Sequence, residues 1–169
     1  MTALDRAGPA VITSAQTIQG GAMDLSHQID LCLEKPCWVV DILPRRVERD
    51  GSGQYFAVED WWRRPEQLTE LYRRFAGLLL KLNCYCDFQV SFHEGWVKNP
   101  PPETLTAWVM ECTQGEKDYM NILLERGEAM VIVNGDDLYL SLYGPSPELL
   151  DLVEQLAGAA GLFLWEVRD

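Results

Sequence analysis

No run of about 18 apolar residues occurs in this chain, which excludes a transmembrane helix of the usual kind. Its start carries no basic stretch followed by an apolar core, so the reading expects neither secretion nor a membrane partner. Positive charge is scarce: 14 Lys and Arg stand against 26 Asp and Glu, a net charge of −12. Phosphate contact needs a net positive face, so nucleic-acid binding is disfavoured. The five cysteines are odd in number and show no framework spacing, which points to free thiols in a reducing cytoplasm. Also missing are a Walker-type loop, a dinucleotide fingerprint, a zincin helix, a nucleophile elbow and an EF-hand loop. No cofactor is expected.

What remains is an ordinary globular composition, 47% hydrophobic and 24% charged, over 169 residues. That length suits one domain and can bury a sizeable core without metal or disulfide. Residues 1–22 are small, polar and aperiodic, with Gly-Pro and Gly-Gly breaks, and read as a flexible tail before a domain at 23–169. Met23 directly precedes the first patterned segment, so translation begun there would omit the tail. Charge is uneven along the chain. Residues 103–169 hold 13 acids and 3 bases, whereas 1–102 hold 13 acids and 11 bases. An acidic surface confers solubility and steers basic partners.

The patterned part opens at 26–34, where His27, Ile29, Leu31 and Leu33 alternate with polar residues as in a half-buried strand. CWVVDIL (37–43) reads as a more buried strand, 44–53 as a loop, and QYFAVEDWW (54–62) as an aromatic-rich third strand. Residues 65–83 carry a continuous helical stripe from Leu68 through Leu71, Tyr72, Phe75, Leu78 and Leu79 to Leu82, with Pro65 at the first helical position. CYCDFQVSF (84–92) alternates as a strand. A proline-rich loop then leads to a short helix bearing Leu105, Trp108, Val109 and Cys112, and 119–125 reads as a strand. The segments around Asn134-Gly135 predict a hairpin with a two-residue turn. Ser146 and Pro147 open a last helix, and LFLWEV (162–167) closes the chain as a strand. This order predicts an α+β fold: a mostly antiparallel sheet with about three helices packed on one face. Strand, Pro-Glu helix and strand recur at 54–92 and 137–167, an echo that suggests duplication of a strand–helix–strand unit.

Chemistry has few carriers. On a strand, Cys84 and Cys86 would share an apolar face with Phe88, Val90 and Phe92. Their thiols would stand roughly 6–7 Å apart, too wide for a disulfide. With Cys32 and Cys37 they could form a four-thiolate metal site if the strands were neighbours. Core packing is the favoured role for all five. His27 reads as structural. His93 ends a polar row of Tyr85, Asp87, Gln89 and Ser91, where it could work as an acid–base group with Asp87, Asp41 or Glu59. Asp87 itself lies about 20 Å away along the same strand, so a partner from another strand is needed. The carboxylates of GDD (135–137) read as hairpin-turn residues.

Six Trp, six Tyr and five Phe form the most informative group. Trp38, Trp108 and Trp165 sit in apolar patterns. Trp61 and Trp62 would point to opposite faces of a strand, beside Arg63 and Arg64 and near Arg45, Arg46 and Arg49. Trp, Tyr and Arg dominate interaction hot spots, so Trp61, Trp62, Arg45, Arg46, Arg63 and Arg64 are the expected partner-binding residues. The competing reading folds loop 44–53 over one Trp as an internal lid. The leading functional expectation is a non-catalytic protein-interaction module (adaptor, inhibitor or immunity-type protein) with another protein, of basic character, as partner. Behind it stand a small enzyme using His93 and a cysteine-ligated metal-binding regulator.

Overall fold

The computed structural model describes residues 22–114, 119–135 and 137–169. The tail read at 1–22 therefore lies outside the described residues except for Ala22, and so does Asp136. Helix α1 (Ala22–Leu33) leads into strand β1 (Cys37–Asp41), and helices α2 (Tyr55–Trp62) and α3 (Pro65–Asn83) follow. Next come β2 (Gln89–Ser91), β3 (Trp96–Lys98), α4 (Pro102–Glu111), β4 (Tyr119–Leu124), β5 (Ala129–Asn134) and β6 (Tyr139–Tyr143). The chain closes with α5 (Pro147–Ala159) and β7 (Phe163–Glu166). The seven strands make one sheet in the order β3-β2-β4-β5-β6-β1-β7, antiparallel at every pairing. The fold is α+β. No helix among the described residues is long and apolar enough to cross a membrane.

Local rules explain the helices that the pattern predicts. α3 begins with Pro65, whose missing N–H would have no partner in a first turn, and its stripe from Leu71 to Leu82 is buried. Glu70 and Arg74 pair at 2.8 Å one turn apart on its outer side. Ser146 caps α5 by accepting the Leu149 N–H at 3.1 Å, with Pro147 in the first turn. The main core lies between one sheet face and α3, α4 and α5. It joins Val40, Ile122, Val131, Val133, Leu140 and Leu142 of the strands to Phe75, Leu79, Leu105, Val109 and Val153 of the helices.

Several expectations need correction. Residues 26–34 are helical. The inward stripe is Leu25, Ile29 and the buried Cys32, at helical spacing, and it packs with Leu123 and Met130 on the sheet face opposite the main core. Leu31 and Leu33, which the strand reading would bury, stand 46% and 47% exposed. Helices thus lie on both faces. Residues 54–62 are helical too, so the strand–helix–strand echo loses its first element.

In 84–92 only Gln89–Ser91 is strand. Cys84 caps the C-terminus of α3, and the chain turns before the ladder begins. The expected loop before α4 holds strand β3. The hairpin is present, but its connection is wider than two residues: β5 ends at Asn134 and β6 starts at Tyr139, with the Asp137 N–H donating to the Asn134 carbonyl at 3.0 Å between them. Position 135 is held to glycine by space, since a Cβ there would stand 1.9 Å from the Cys112 carbonyl oxygen.

Candidate functional site

Helix α2 carries no buried residue, although it consists mostly of apolar side chains. Phe56 is 77% exposed, and Tyr55, Val58 and Trp61 are each exposed at 40–42%. Trp62 turns inward against the core and meets Trp61 edge-to-face at 5.3 Å. Adjacent helical residues point about 100° apart, so one indole can anchor the helix while its neighbour faces solvent. Arg63 is held by Glu59 at 2.8 Å, one helical turn back. Arg64 bridges α2 and α3 in an extended conformation and is exposed, as are Arg45, Arg46 and Arg49. All of 44–54 is exposed. Of the six expected partner-binding residues, Trp61 and Trp62 end α2 and Arg63 and Arg64 follow it directly, whereas Arg45 and Arg46 belong to the exposed loop before it. Trp62 serves mainly as the anchor of the helix.

Tyr55 of α2 lies close enough to Asp41 of the sheet to feel its charge. Asp41 ends β1, opposite Tyr139 on β6 and Phe163 on β7. Its Oδ1 accepts the Leu43 N–H at 3.3 Å, and the Trp165 indole N–H donates to the Leu43 carbonyl at 3.1 Å. Burial raises the Asp41 carboxyl above its ordinary value, against hydrogen bonds from Leu43, Ile42 and Trp165 that lower it. The Tyr55 and Tyr139 hydroxyls are raised, first by burial and then by nearby acids that include Asp41. Cys37 faces Tyr143 across the ladder. Burial lifts the thiol, and the Tyr143 hydroxyl is pushed up to about 12 by burial and by Cys37. A thiol raised in this way stays protonated near neutrality and is a poor nucleophile or ligand.

His93 sits elsewhere. It leaves β2 with φ 58°, stacks on Phe92 at a centroid distance of 4.2 Å, and brings Nε2 within 2.9 Å of Glu111 on α4. Trp108 closes the corner at 6.3 Å. The polar row is therefore broken. Gln89 and Ser91 remain on β2, Tyr85 precedes the strand at 71% exposure, and Asp87 is engaged by Asn99 and Lys98. Asp41 is on β1, four strands from β2 and so about 19 Å away. Glu59 belongs to α2, on the Asp41 side, where both acids act on Tyr55. Glu111, the carboxylate that does meet His93, comes from α4, and no local spacing in the sequence ties the two together.

The thiols do not converge. Cys32 packs on the α1 side of the sheet, while Cys86 packs against the main core at the end of α3. Among the described residues, no group of three or more His, Cys, Asp or Glu side chains could hold a metal ion. Cys32 and Cys112 are buried, Cys37 and Cys86 half-buried, and Cys84 is exposed, which departs from a core role for all five. Burial pushes Cys86 and Cys112 up to about 11. An open hollow of about 420 Å³ lies between the end of α5 and β7, lined by Pro44, Glu154, Gly158 and the stretch 161–164. It contains one carboxylate and no converging polar set. Comparison with protein-family models, curated proteins and solved structures returns no match in any of the three.

Proposed function

We propose that residues 23–169 act as one domain, a non-catalytic protein-interaction module of the adaptor, inhibitor or immunity type, working in a reducing compartment such as the cytoplasm. Its docking surface is the outward face of α2. Its partner is a protein of net positive charge that presents an apolar patch. The observation that carries this reading is the exposure of Tyr55, Phe56, Val58 and Trp61 on one two-turn helix. Contiguous apolar surface rimmed by charge marks interaction sites, and aromatics with arginine supply most hot-spot energy. Arg64 directly follows the helix, and it and the exposed Arg45 and Arg46 of the preceding loop offer donors. The overall charge of −12 acts at longer range and speeds encounter with a basic molecule.

The test compares two baits in a lysate of the organism that carries the chain: wild type and a Phe56→Ala, Trp61→Ala double variant. Wild type should retain one specific protein, less of it as salt rises, and the variant should lose it. Equal retention by both baits, or none by either, removes the reading.

The 2.9 Å contact between His93 and Glu111 favours a second reading, a small enzyme using that pair as acid and base. A small-molecule fragment library followed by NMR of the His93 imidazole tests it. A ligand that shifts this ring supports a site there, and a library that leaves it unmoved counts against one.

A further inference from the structure

The two edges of the sheet differ. β3 is three residues long, and its Lys98 pairs with Asp87 at 3.5 Å, a charged and short edge of the kind that resists further pairing. β7 is also short, at four residues, but its one charge, Glu166, is engaged by Arg168 at 3.0 Å, and exposed apolar side chains stand at Phe163 and, just past its end, Val167. It is the last strand in the order, it pairs with β1 on one side only, and no described strand meets its other side.

The register shows which groups that edge presents. The Val167 N–H donates to the Cys37 carbonyl at 2.9 Å, and Trp165 stands opposite Val39 and Phe163 opposite Asp41. Hydrogen-bonded pairs alternate along an antiparallel ladder, so Phe163, Trp165 and Val167 turn their backbone groups toward β1. The N–H and C=O of Leu164 and Glu166 point outward. Phe163 and Val167, on the same sheet face as Trp165, are 45% and 42% exposed.

From this we infer that β7 pairs antiparallel with β7 of a second copy, joining two sheets across a two-fold axis at Trp165. In this register Leu164 and Glu166 of one copy exchange backbone bonds with Glu166 and Leu164 of the other. Phe163 meets Val167 and Trp165 meets Trp165 at the non-hydrogen-bonded positions, where side chains come closest. Shifting the axis to Glu166 sets the two Glu166 carboxylates opposite each other. Shifting it to Leu164 demands the Leu162 N–H, which already donates to Ala157 at 2.8 Å, and extends pairing into Gly161, whose φ is 71°. The surface is self-complementary, as a two-fold interface must be. It uses the β7 backbone and does not depend on α2 finding a partner.

Sedimentation of the full chain over a range of concentrations and salt tests the inference. The expected mass is that of two chains, with tighter association as salt screens the repulsion between two copies of charge −12. Glu166→Pro removes an outward N–H while sparing the bonds to β1, and should return the mass to one chain with an unchanged circular dichroism spectrum. A second pair of variants reads the register without touching the backbone. Phe163→Lys with Val167→Lys sets like charges opposite and should split the pair; Phe163→Lys with Val167→Glu should restore it. Wild-type chain at the mass of one chain throughout overturns the inference, whether residues 1–21 or another protein's strand takes the edge. A dimer that survives Glu166→Pro, or survives the two lysine substitutions, overturns it equally.

Discussion

The Tyr72 hydroxyl, on the fully buried middle of α3, lies within hydrogen-bond distance of the Asn134 carbonyl at the tip of the β5–β6 hairpin. The same hydroxyl stands 2.9 Å from the Asp137 carbonyl. The longest helix is thereby tied to a turn more than sixty residues away, and the turn is shaped around that tie. Tyr72→Phe keeps the ring and removes the donor, so it should destabilise by about 1 kcal/mol. Denaturant unfolding measures the loss, and faster amide exchange at Asp137 would locate it at the hairpin tip.

The same chemical change should have opposite signs at two glycines. Gly135→Ala drives a methyl to 1.9 Å from the Cys112 carbonyl and should cost about 1–3 kcal/mol. Gly77→Ala, within α3 and with open space around the new methyl, should stabilise by roughly 0.5–1 kcal/mol. Thermal melts of the two variants against wild type decide this, and equal shifts would contradict the packing at the hairpin.

Asp41 makes stability depend on pH in an unusual direction for a carboxylate. Its folded pKa is raised above 3.8, so the folded state holds this proton more tightly than the unfolded state does. The contribution of Asp41 to stability is then greatest below 3.8 and is lost as pH rises from there through the folded value. Asp41→Asn keeps an acceptor for the Leu43 N–H and removes the titration. Urea unfolding should show the stability difference between variant and wild type shifting in the variant's favour across that window and flat above it. A flat difference throughout would mean that Asp41 is not desolvated.

The outward side chains of α2 should matter little for folding. Phe56→Ser should change stability by no more than about 0.5 kcal/mol, because this ring is largely in water already. Leu79→Ala, in the main core, should cost about 2–5 kcal/mol. A large loss at Phe56 would show that the helix face is covered within the chain itself.

Thiol labelling followed by mass spectrometry should rank the cysteines. Cys84, exposed at the end of α3, should react first. Cys37 and Cys86 should lag, since burial raises both thiols, and Cys32 and Cys112 should react only on unfolding. Fast labelling of Cys112 would place it outside the core.

Some of this architecture is written locally, and some is not. Where one local rule acts alone, sequence and structure agree. The stripe from Leu68 to Leu82 with Pro65 ahead of it makes a helix. Ser146 and Pro147 start another. Val39 with Val40, and Leu140 with Leu142, alternate or run as sheet strands do. Residues 26–34 and 54–62 obey two patterns at once. His27, Ile29, Leu31 and Leu33 keep a period of two, while Leu25, Ile29 and Cys32 keep a helical one, and only the surface formed by Leu123 and Met130 selects between them. That Trp61 and Trp62 face different ways was legible, but which of them is exposed depends on Trp62 finding the core.

Composition, charge, the α3 and α5 helices and most of the central strands follow from the residues alone, because each depends on neighbours within a few positions. The meeting of His93 with Glu111, of Asp41 with Tyr139 and Trp165, and of Tyr72 with Asn134 depends on strand order and helix placement. Those come from burying distant apolar faces against one another, and no local pattern encodes that burial.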